Sequence, residues 1–464
     1  MLFSSLEFLI FFLCVCGFLA LVRSNTSRKL FLLAASYYFY AYWDYRFLSL
    51  ILLSTLTDYC VGRALEITED KGKRRWLLVA SLVVNLGLLG YFKYCNFFIE
   101  SAAPLLEKVG LHAGTLDIIL PVGISFYTFQ TLSYTIDVYR RKMPVCRSLF
   151  DFALFVAFFP QLVAGPIVRA AHFLPQLALA RPLNRDDLYE GFRRFTFGLT
   201  KKVFLADRLA MYVDFVFENS ALMDTSTLWL GVVAYTLQIY FDFSGYSDMA
   251  IGAARMMGYD LGENFNFPYL SRSFSEFWRR WHISLSSWVR DYLYIPLGGN
   301  RGGAARTSLN LMLTMLLMGL WHGAAWTFVF WGGLHGLGLV TERLVFGKES
   351  IRPPHTLVSG LLGWGYTILV AVVGWVFFRA QSFGAAWTIL EGMFVPRSGV
   401  IWIHPFVAAV VAGTALLHMA KGLARTDWLL TKKGWYTPAL LFSLLWLVVI
   451  FYPTGFTPFI YFQF

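Results

Sequence analysis

Charge is what this sequence has least of. Asp, Glu, Lys and Arg supply only 14% of its 464 residues, against roughly a quarter in soluble domains, which excludes an ordinary soluble globular protein. Acidic charge is the scarcer sign, with 28 Asp and Glu against 39 Lys and Arg. Cysteine is also sparse: Cys14, Cys16, Cys60, Cys95 and Cys146 lie mostly in apolar segments, with no CxxC pair and no His-rich tract. That excludes a disulfide scaffold and any zinc site readable from spacing, so no metal is expected. The chain has no internal repeat, no low-complexity tract and no insertion the size of a soluble domain, and residues 1–464 are read as one integral-membrane domain.

What is present is apolar. Hydrophobic residues make up 57% of the chain and aromatic residues 18%, and the mean hydropathy is +0.57. These values predict an all-α polytopic membrane protein whose first partner is the lipid bilayer. The net charge of +11 requires no nucleic acid, because basic residues gather in cytoplasmic loops and face anionic lipid.

Apolar segments predict spans near 5–22, 30–43, 47–62, 77–98, 118–136, 148–168, 227–255, 307–321, 324–341, 356–378, 401–420 and 436–456. Several fall short of the ~20 residues a straight span needs, which implies tilted, re-entrant or half-helices. Residues 8–22 have no basic region before them, and Arg23-Ser24-Asn25 is a poor cleavage site, so this segment is read as a retained helix. Basic loops at Arg23–Lys29, Arg63–Arg75, Arg140–Arg147, Arg343–Arg352 and Lys421–Lys433 are assigned to the cytoplasm, which puts both termini outside it. Residues 169–226 and 257–306 are amphipathic, and hydropathy does not fix their depth. Within 187–217, Arg193, Arg194, Lys201, Lys202 and Arg208 alternate with phenylalanines as in a basic helix lying at the interface. That helix suits a surface anchor and a grip on a phosphorylated donor equally.

From Thr307 to Thr341 there is no charged residue for 35 positions, yet His322 sits inside that run, in Leu320-Trp321-His322-Gly323-Ala324-Ala325-Trp326. An ionisable group at membrane depth is costly and marks a functional site by default. Gly323 suggests two segments broken at His322. A second histidine lies in Phe277-Trp278-Arg279-Arg280-Trp281-His282-Ile283-Ser284-Leu285-Ser286. Read as one helix, this puts Trp278, Trp281 and Leu285 on one face and Arg279, His282 and Ser286 on another. Arg290, followed by Gly298-Gly299-Asn300-Arg301-Gly302-Gly303, makes a flexible basic turn suited to phosphate. Asp242 and Asp248, in Tyr240-Phe241-Asp242-Phe243-Ser244-Gly245-Tyr246-Ser247-Asp248, are expected to pair with arginines between 272 and 290. Pro121 and Gly123, and Pro160, Gly165 and Pro166, predict interrupted helices. His335 is read as a packed, hydrogen-bonded core histidine, with a second intramembrane imidazole as the alternative. His112, His172, His355, His404 and His418 fall near segment ends or in loops.

In order along the chain, Pro121-Val122-Gly123-Ile124-Ser125-Phe126, Phe159-Pro160-Gln161 with Gly165-Pro166, the stretch from Tyr240 to Asp248, the Trp278–His282 stretch, Leu320-Trp321-His322-Gly323, and Phe456-Thr457-Pro458-Phe459-Ile460-Tyr461-Phe462 resemble the membrane-bound O-acyltransferase family. They most resemble the bacterial branch that contains alginate O-acetyltransferase membrane subunits. The resemblance implies a ring of about 11–12 transmembrane helices, with re-entrant and interfacial helices, around a central tunnel. It implies His322 as the essential histidine and His282 as the second catalytic position. Trp278, Arg279, Arg280, Trp281, Ser286, Arg290, Asn300, Arg301, Asp242, Tyr240, Trp321 and Trp326 would line the tunnel or bind substrate.

The expected activity is O-acetyl transfer in a bacterial inner membrane. Cytoplasmic acetyl-CoA would be the donor, no cofactor would be permanently bound, and both termini would be periplasmic. The acetyl group would pass through a periplasmic SGNH-hydrolase-like partner to an exopolysaccharide such as alginate or cellulose. Two alternatives stay open from sequence: D-alanyl or other acyl transfer to a cell-wall polymer, and a proton-coupled transporter or flippase using the intramembrane acids. The missing inverted repeat counts against the latter.

Overall fold

The computed structural model of the chain describes all residues except 113, 180–182, 347–355, 425–433, 453–458 and 461–464. Lys348, Arg352, His355, Arg425, Lys432 and Lys433, and Phe456–Pro458, Tyr461 and Phe462 of the last motif, therefore lie outside the described residues. Among the described residues the chain is helical throughout, and its one β feature is an isolated parallel bridge between Met223 and Val400. Helices occupy the twelve apolar segments. Three helical stretches, Asn25–Ile67, Lys71–Glu107 and Leu357–Arg379, are long and apolar enough to cross a membrane outright. The Phe383–Phe394 helix, started by Ser382, went unread because it is short and lies between two polar turns.

The chain folds as two compact units: residues 1–195 with 249–262, and residues 196–248 with 263–464. In the first unit, polar side chains tie the apolar helices together. Asp58 is fully buried on Leu48–Ile67 and accepts hydrogen bonds from Ser81, from Asn85 Nδ2 at 2.9 Å and from Thr135 Oγ1 at 2.9 Å. Those donors stand on Lys71–Leu89 and Ile124–Tyr139, so one carboxylate joins three helices. Arg28 donates to the Leu19 carbonyl at 2.8 Å, and Arg74 to those of Leu65 at 2.6 Å and Tyr139 at 2.9 Å. Each of these cations, near the start of its own helix, thus caps the electronegative C-terminal end of another helix. The expected interruptions are present. The helix after Gly123 starts only at Ile124, with Gly123 at φ 77°, and the 148–168 segment divides into Leu149–Ala157 and Phe159–Leu162.

In the second unit the central feature is a pair of helices, Gly303–His322 and Trp326–Phe346. They join at Gly323, whose backbone is extended (φ −153°, ψ 146°). The break falls where the charge-free run suggested, with His322 as the last helical residue. The two helices pack backbone to backbone. A methyl at Gly332 would collide with the Met315 carbonyl, and one at Gly319 with the Phe328 carbonyl. Small residues permit this approach, as in other membrane helix pairs. Gly332→Ala should therefore destabilise the protein by about 1–3 kcal/mol, the usual cost of overpacking, read as a lower unfolding temperature in detergent.

The candidate active site

Because its helix stops at Gly323, His322 stands at the end of a helix within an aromatic wall. It is 2% exposed. Its ring meets Trp321 and Trp331 edge-on at 5.0 Å, and Phe378 at 5.5 Å. Trp331 lies on the second helix of the pair and Phe378 on Leu357–Arg379. Three helices therefore hold one imidazole in an apolar, nearly inaccessible setting.

His282 reaches the same region by a different device. The one helix expected across 277–286 is instead two: Phe274–Arg280, then a break, then Ile283–Val289. His282 sits at the break with a left-handed backbone (φ 42°, ψ 56°). The break is imposed from 18 residues away by the buried Asn264, whose backbone carbonyl accepts from Ile283 N–H at 2.9 Å. The Asn264 side-chain oxygen accepts from Ser284 N–H at 3.2 Å and Ser284 Oγ at 2.8 Å, and lies 3.2 Å from His282 Nδ1. Asn264 Nδ2 donates to Ser247 Oγ at 3.0 Å. An atom facing a backbone N–H must be an oxygen, so His282 Nδ1 carries the proton it donates and Nε2 keeps its lone pair. Phe243 meets the His282 ring edge-on at 4.6 Å. Trp321 packs against both imidazoles, 6.4 Å from His282 between ring centroids. Asn264→Ala should cost about 1–3 kcal/mol, the price of a lost buried acceptor, and should slow the reaction as well. Thermal unfolding and initial rates measured on one preparation check both halves.

The structure treats the other expected site residues unevenly. Trp278, Trp281, Tyr240 and Trp321 are buried. Trp281 stacks on Phe277 at 5.7 Å and lies 5.0 Å from Trp375 and 6.4 Å from Tyr240. Ser286 donates to the Trp281 carbonyl at 3.0 Å, closing the short-helix junction. Trp326 is 56% exposed at the start of its helix. Arg279 and Arg301 are exposed. Arg280 is held by Glu276 at 2.7 Å and Arg290 by Asp291 at 2.7 Å. Asn300 accepts from Tyr294 at 2.7 Å and Arg343 at 3.0 Å. Around it, Gly298, Gly299, Gly302 and Gly303 all take positive φ, the tight turn their spacing suggested.

The expected ion pairing of Asp242 and Asp248 with arginines 272–290 is corrected. Asp242 pairs with Lys202 at 2.9 Å, and Lys202 also holds Asp207 at 2.8 Å, all three nearly inaccessible to solvent. Asp248 pairs with Lys201 at 2.6 Å. Asp242 also accepts from the Ile460 N–H at 2.8 Å. Alternation of charge and phenylalanine made 201–202 look like the solvated side of a surface helix. A second miss is Glu342, 3% exposed just past the charge-free run, which accepts from the Phe274 and Ser275 N–H groups and so anchors the start of Phe274–Arg280. Among the described residues no group of three or more His, Cys, Asp and Glu could hold a metal ion.

The model of the membrane-bound O-acyltransferase family matches residues 37–387. A probable alginate O-acetylase of Pseudomonas aeruginosa is 48% identical over 399 residues, covering 85% of this chain and 75% of the relative. The peptidoglycan O-acetyltransferase of Helicobacter pylori is 37% identical over 436 residues, covering 87% and 81%. The teichoic acid D-alanyltransferase of Bacillus subtilis is 29% identical over 269 residues, covering 53% and 67%. The chain belongs to the membrane-bound O-acyltransferase family. It is an O-acyltransferase of the membrane.

Proposed function

We propose that the protein takes acetyl from cytoplasmic acetyl-CoA and delivers it, across a bacterial inner membrane, for O-acetylation of an extracytoplasmic glycan of the alginate or cellulose kind. The observation that carries this reading is a nearly inaccessible imidazole at the break between two apolar helices, in a chain whose relatives at 48% and 37% identity are O-acetylating proteins. His322 acts as general base. It takes the proton of an acceptor hydroxyl as that oxygen bonds to the thioester carbonyl carbon, and the tetrahedral intermediate then collapses with cleavage of the C–S bond. The proton passes from His322 to the departing sulfur. Such proton transfer is worth about 10²–10⁴-fold in rate. A covalent acetyl-His322 intermediate is the second route. His282, whose Nδ1–H is turned to Asn264 and whose Nε2 carries a lone pair, has no proton to offer the thioester carbonyl and lines the passage.

The basic turn at 298–303, with Arg279, Arg290 and Arg301 exposed, supplies cations for the donor's phosphates. The immediate acceptor is the serine of a periplasmic SGNH-type acetyltransferase, which completes transfer to the polymer, and both termini face the periplasm. Acetyl is favoured over D-alanyl by the higher identity and fuller coverage of the O-acetylating relatives. The proton-coupled carrier is disfavoured because Asp242 and Asp248, its natural proton sites, are held by Lys202 and Lys201.

Host membranes incubated with labelled acetyl-CoA test the reading. Label is expected in an alkali-labile O-acetyl fraction when the chain is present and to be absent when it is deleted. Equal labelling with and without the chain would overturn it.

A further inference from the structure

Behind His322 stands a second imidazole that the mechanism above does not use. His335 lies on the Trp326–Phe346 helix, one turn past Trp331, and is 0% exposed. It is packed as sequence suggested, but among the described residues neither ring nitrogen has a hydrogen-bond partner. Three indoles surround it: Trp331 at 4.4 Å, Trp278 at 5.4 Å and Trp375 at 6.2 Å between ring centroids. The N–H of each indole is buried and, among the described residues, equally without an acceptor. A methyl built on Gly374 would come within 2.6 Å of His335 Nε2, so a side chain there would crowd this edge of the ring. Trp331 is shared with His322, which it meets edge-on at 5.0 Å.

The cluster is unbalanced in a way that names its ligand. An indole only donates, and a neutral imidazole offers one donor and one acceptor. The group therefore presents an excess of N–H donors and no cation, inside an apolar wall. Buried polar groups left unmet are rare and costly, and several in one place mark a site rather than a packing accident. What satisfies such a set is a small, neutral group carrying an oxygen with free lone pairs, and better still one that becomes negative during the reaction.

We infer that Trp278, Trp331, Trp375 and His335 form the site for the acyl carbonyl oxygen. Their N–H groups hold that oxygen as it gains the electron pair of the C=O bond in the tetrahedral intermediate beside His322. When the intermediate collapses the pair returns, the C–S bond breaks and the sulfur takes the proton from His322 and leaves as the thiol. The inference rests on the acyl-transfer reading above.

The test uses host membranes carrying each full-length variant as the sole copy, labelled acetyl-CoA as the probe, and the initial rate of O-acetyl labelling. His335→Leu and Trp278→Phe should each lower that rate by about 10²-fold, the scale of losing an oxyanion donor. The apparent KM for acetyl-CoA should change less than about threefold, since donors to a developing charge act in the transition state. His335→Gln, which keeps a donor, should run at least about tenfold faster than His335→Leu. The unfolding temperature of His335→Leu should be unchanged or higher, because leucine removes the two unmet ring nitrogens of the histidine. A purely structural histidine gives the opposite pairing, a shifted stability with the rate within about threefold of wild type, and that result overturns the inference. If His335→Leu does not accumulate, Trp278→Phe and Trp375→Phe decide it: a loss of at least about tenfold supports the site, and rates near wild type remove it. His322→Ala in the same assay separates the two readings. If it labels as wild type does, acyl transfer through His322 fails. If it is inactive while the His335 and tryptophan variants are not, only this inference fails.

Discussion

His322→Gln is expected to lower the initial rate of acyl transfer by about 10²–10⁴-fold, the contribution of a positioned general base, while the purified protein elutes and unfolds like wild type. Glutamine keeps much of the volume and polarity of the imidazole, so the packing among Trp321, Trp331 and Phe378 is largely preserved. It has no group that can take a proton near neutral pH. The expected separation between rate and stability follows from the position of His322. It is the last residue of its helix, and the break that follows is made by Gly323 and by the backbone packing of Gly319 against Gly332, not by the imidazole. A parallel fall in unfolding temperature and rate would instead make His322 a structural residue. Rate measurements with detergent-solubilised thermal unfolding as the companion decide between them.

The largest stability effect is expected at Lys202. One ammonium, 5% exposed, lies between Asp207 at 2.8 Å and Asp242 at 2.9 Å. Replacing it with methionine leaves two neighbouring carboxylates buried without their cation. Breaking a buried ion pair from one side costs about 3–5 kcal/mol, so Lys202→Met should sharply lower the unfolding temperature and the yield of folded protein. Changing Asp207 and Asp242 to asparagine in the same chain removes the stranded charge and should restore most of the loss. Failure of that rescue would show that the lysine matters for its packing, not its charge. The triad also bears on the site. Asp242 holds the Ile460 N–H, and Phe459 packs on Phe243 at 5.6 Å. Phe243 in turn meets His282. Partial rescue of stability should therefore be accompanied by only partial rescue of rate.

The sequence carried its clearest signals where local chemistry decides structure. A glycine next to a histidine in a charge-free run marked the break at His322, although Gly319, Gly332 and Gly333 in the same run stay inside helices. Pro121, Gly123 and Pro160 marked other interruptions by their own backbone preferences. The break at His282 was not legible. Nothing between Trp278 and Ser286 breaks a helix on its own, and the residue that does so, Asn264, acts through hydrogen bonds from another part of the chain. The partners of Asp242 and Asp248 were missed on similar grounds. Close approach at Gly198 and Gly245 brings Lys201 and Lys202 to that helix, where a methyl on Gly245 would lie 2.8 Å from the Gly198 carbonyl. His335 shows the reverse case. Its burial was legible from an apolar setting, whereas its lack of hydrogen bonds depends on which side chains surround it and only the folded arrangement reveals it.

The most direct measurement of the central claim is nuclear magnetic resonance of O-acetyl groups on the host's surface glycans. It should compare a strain carrying the wild-type chain with one carrying His322→Ala as the sole copy. The expected result is loss of acetyl from at least one glycan in the variant, with the polymer itself still made and the variant protein present in the membrane. Unchanged acetyl content on every glycan would contradict the account.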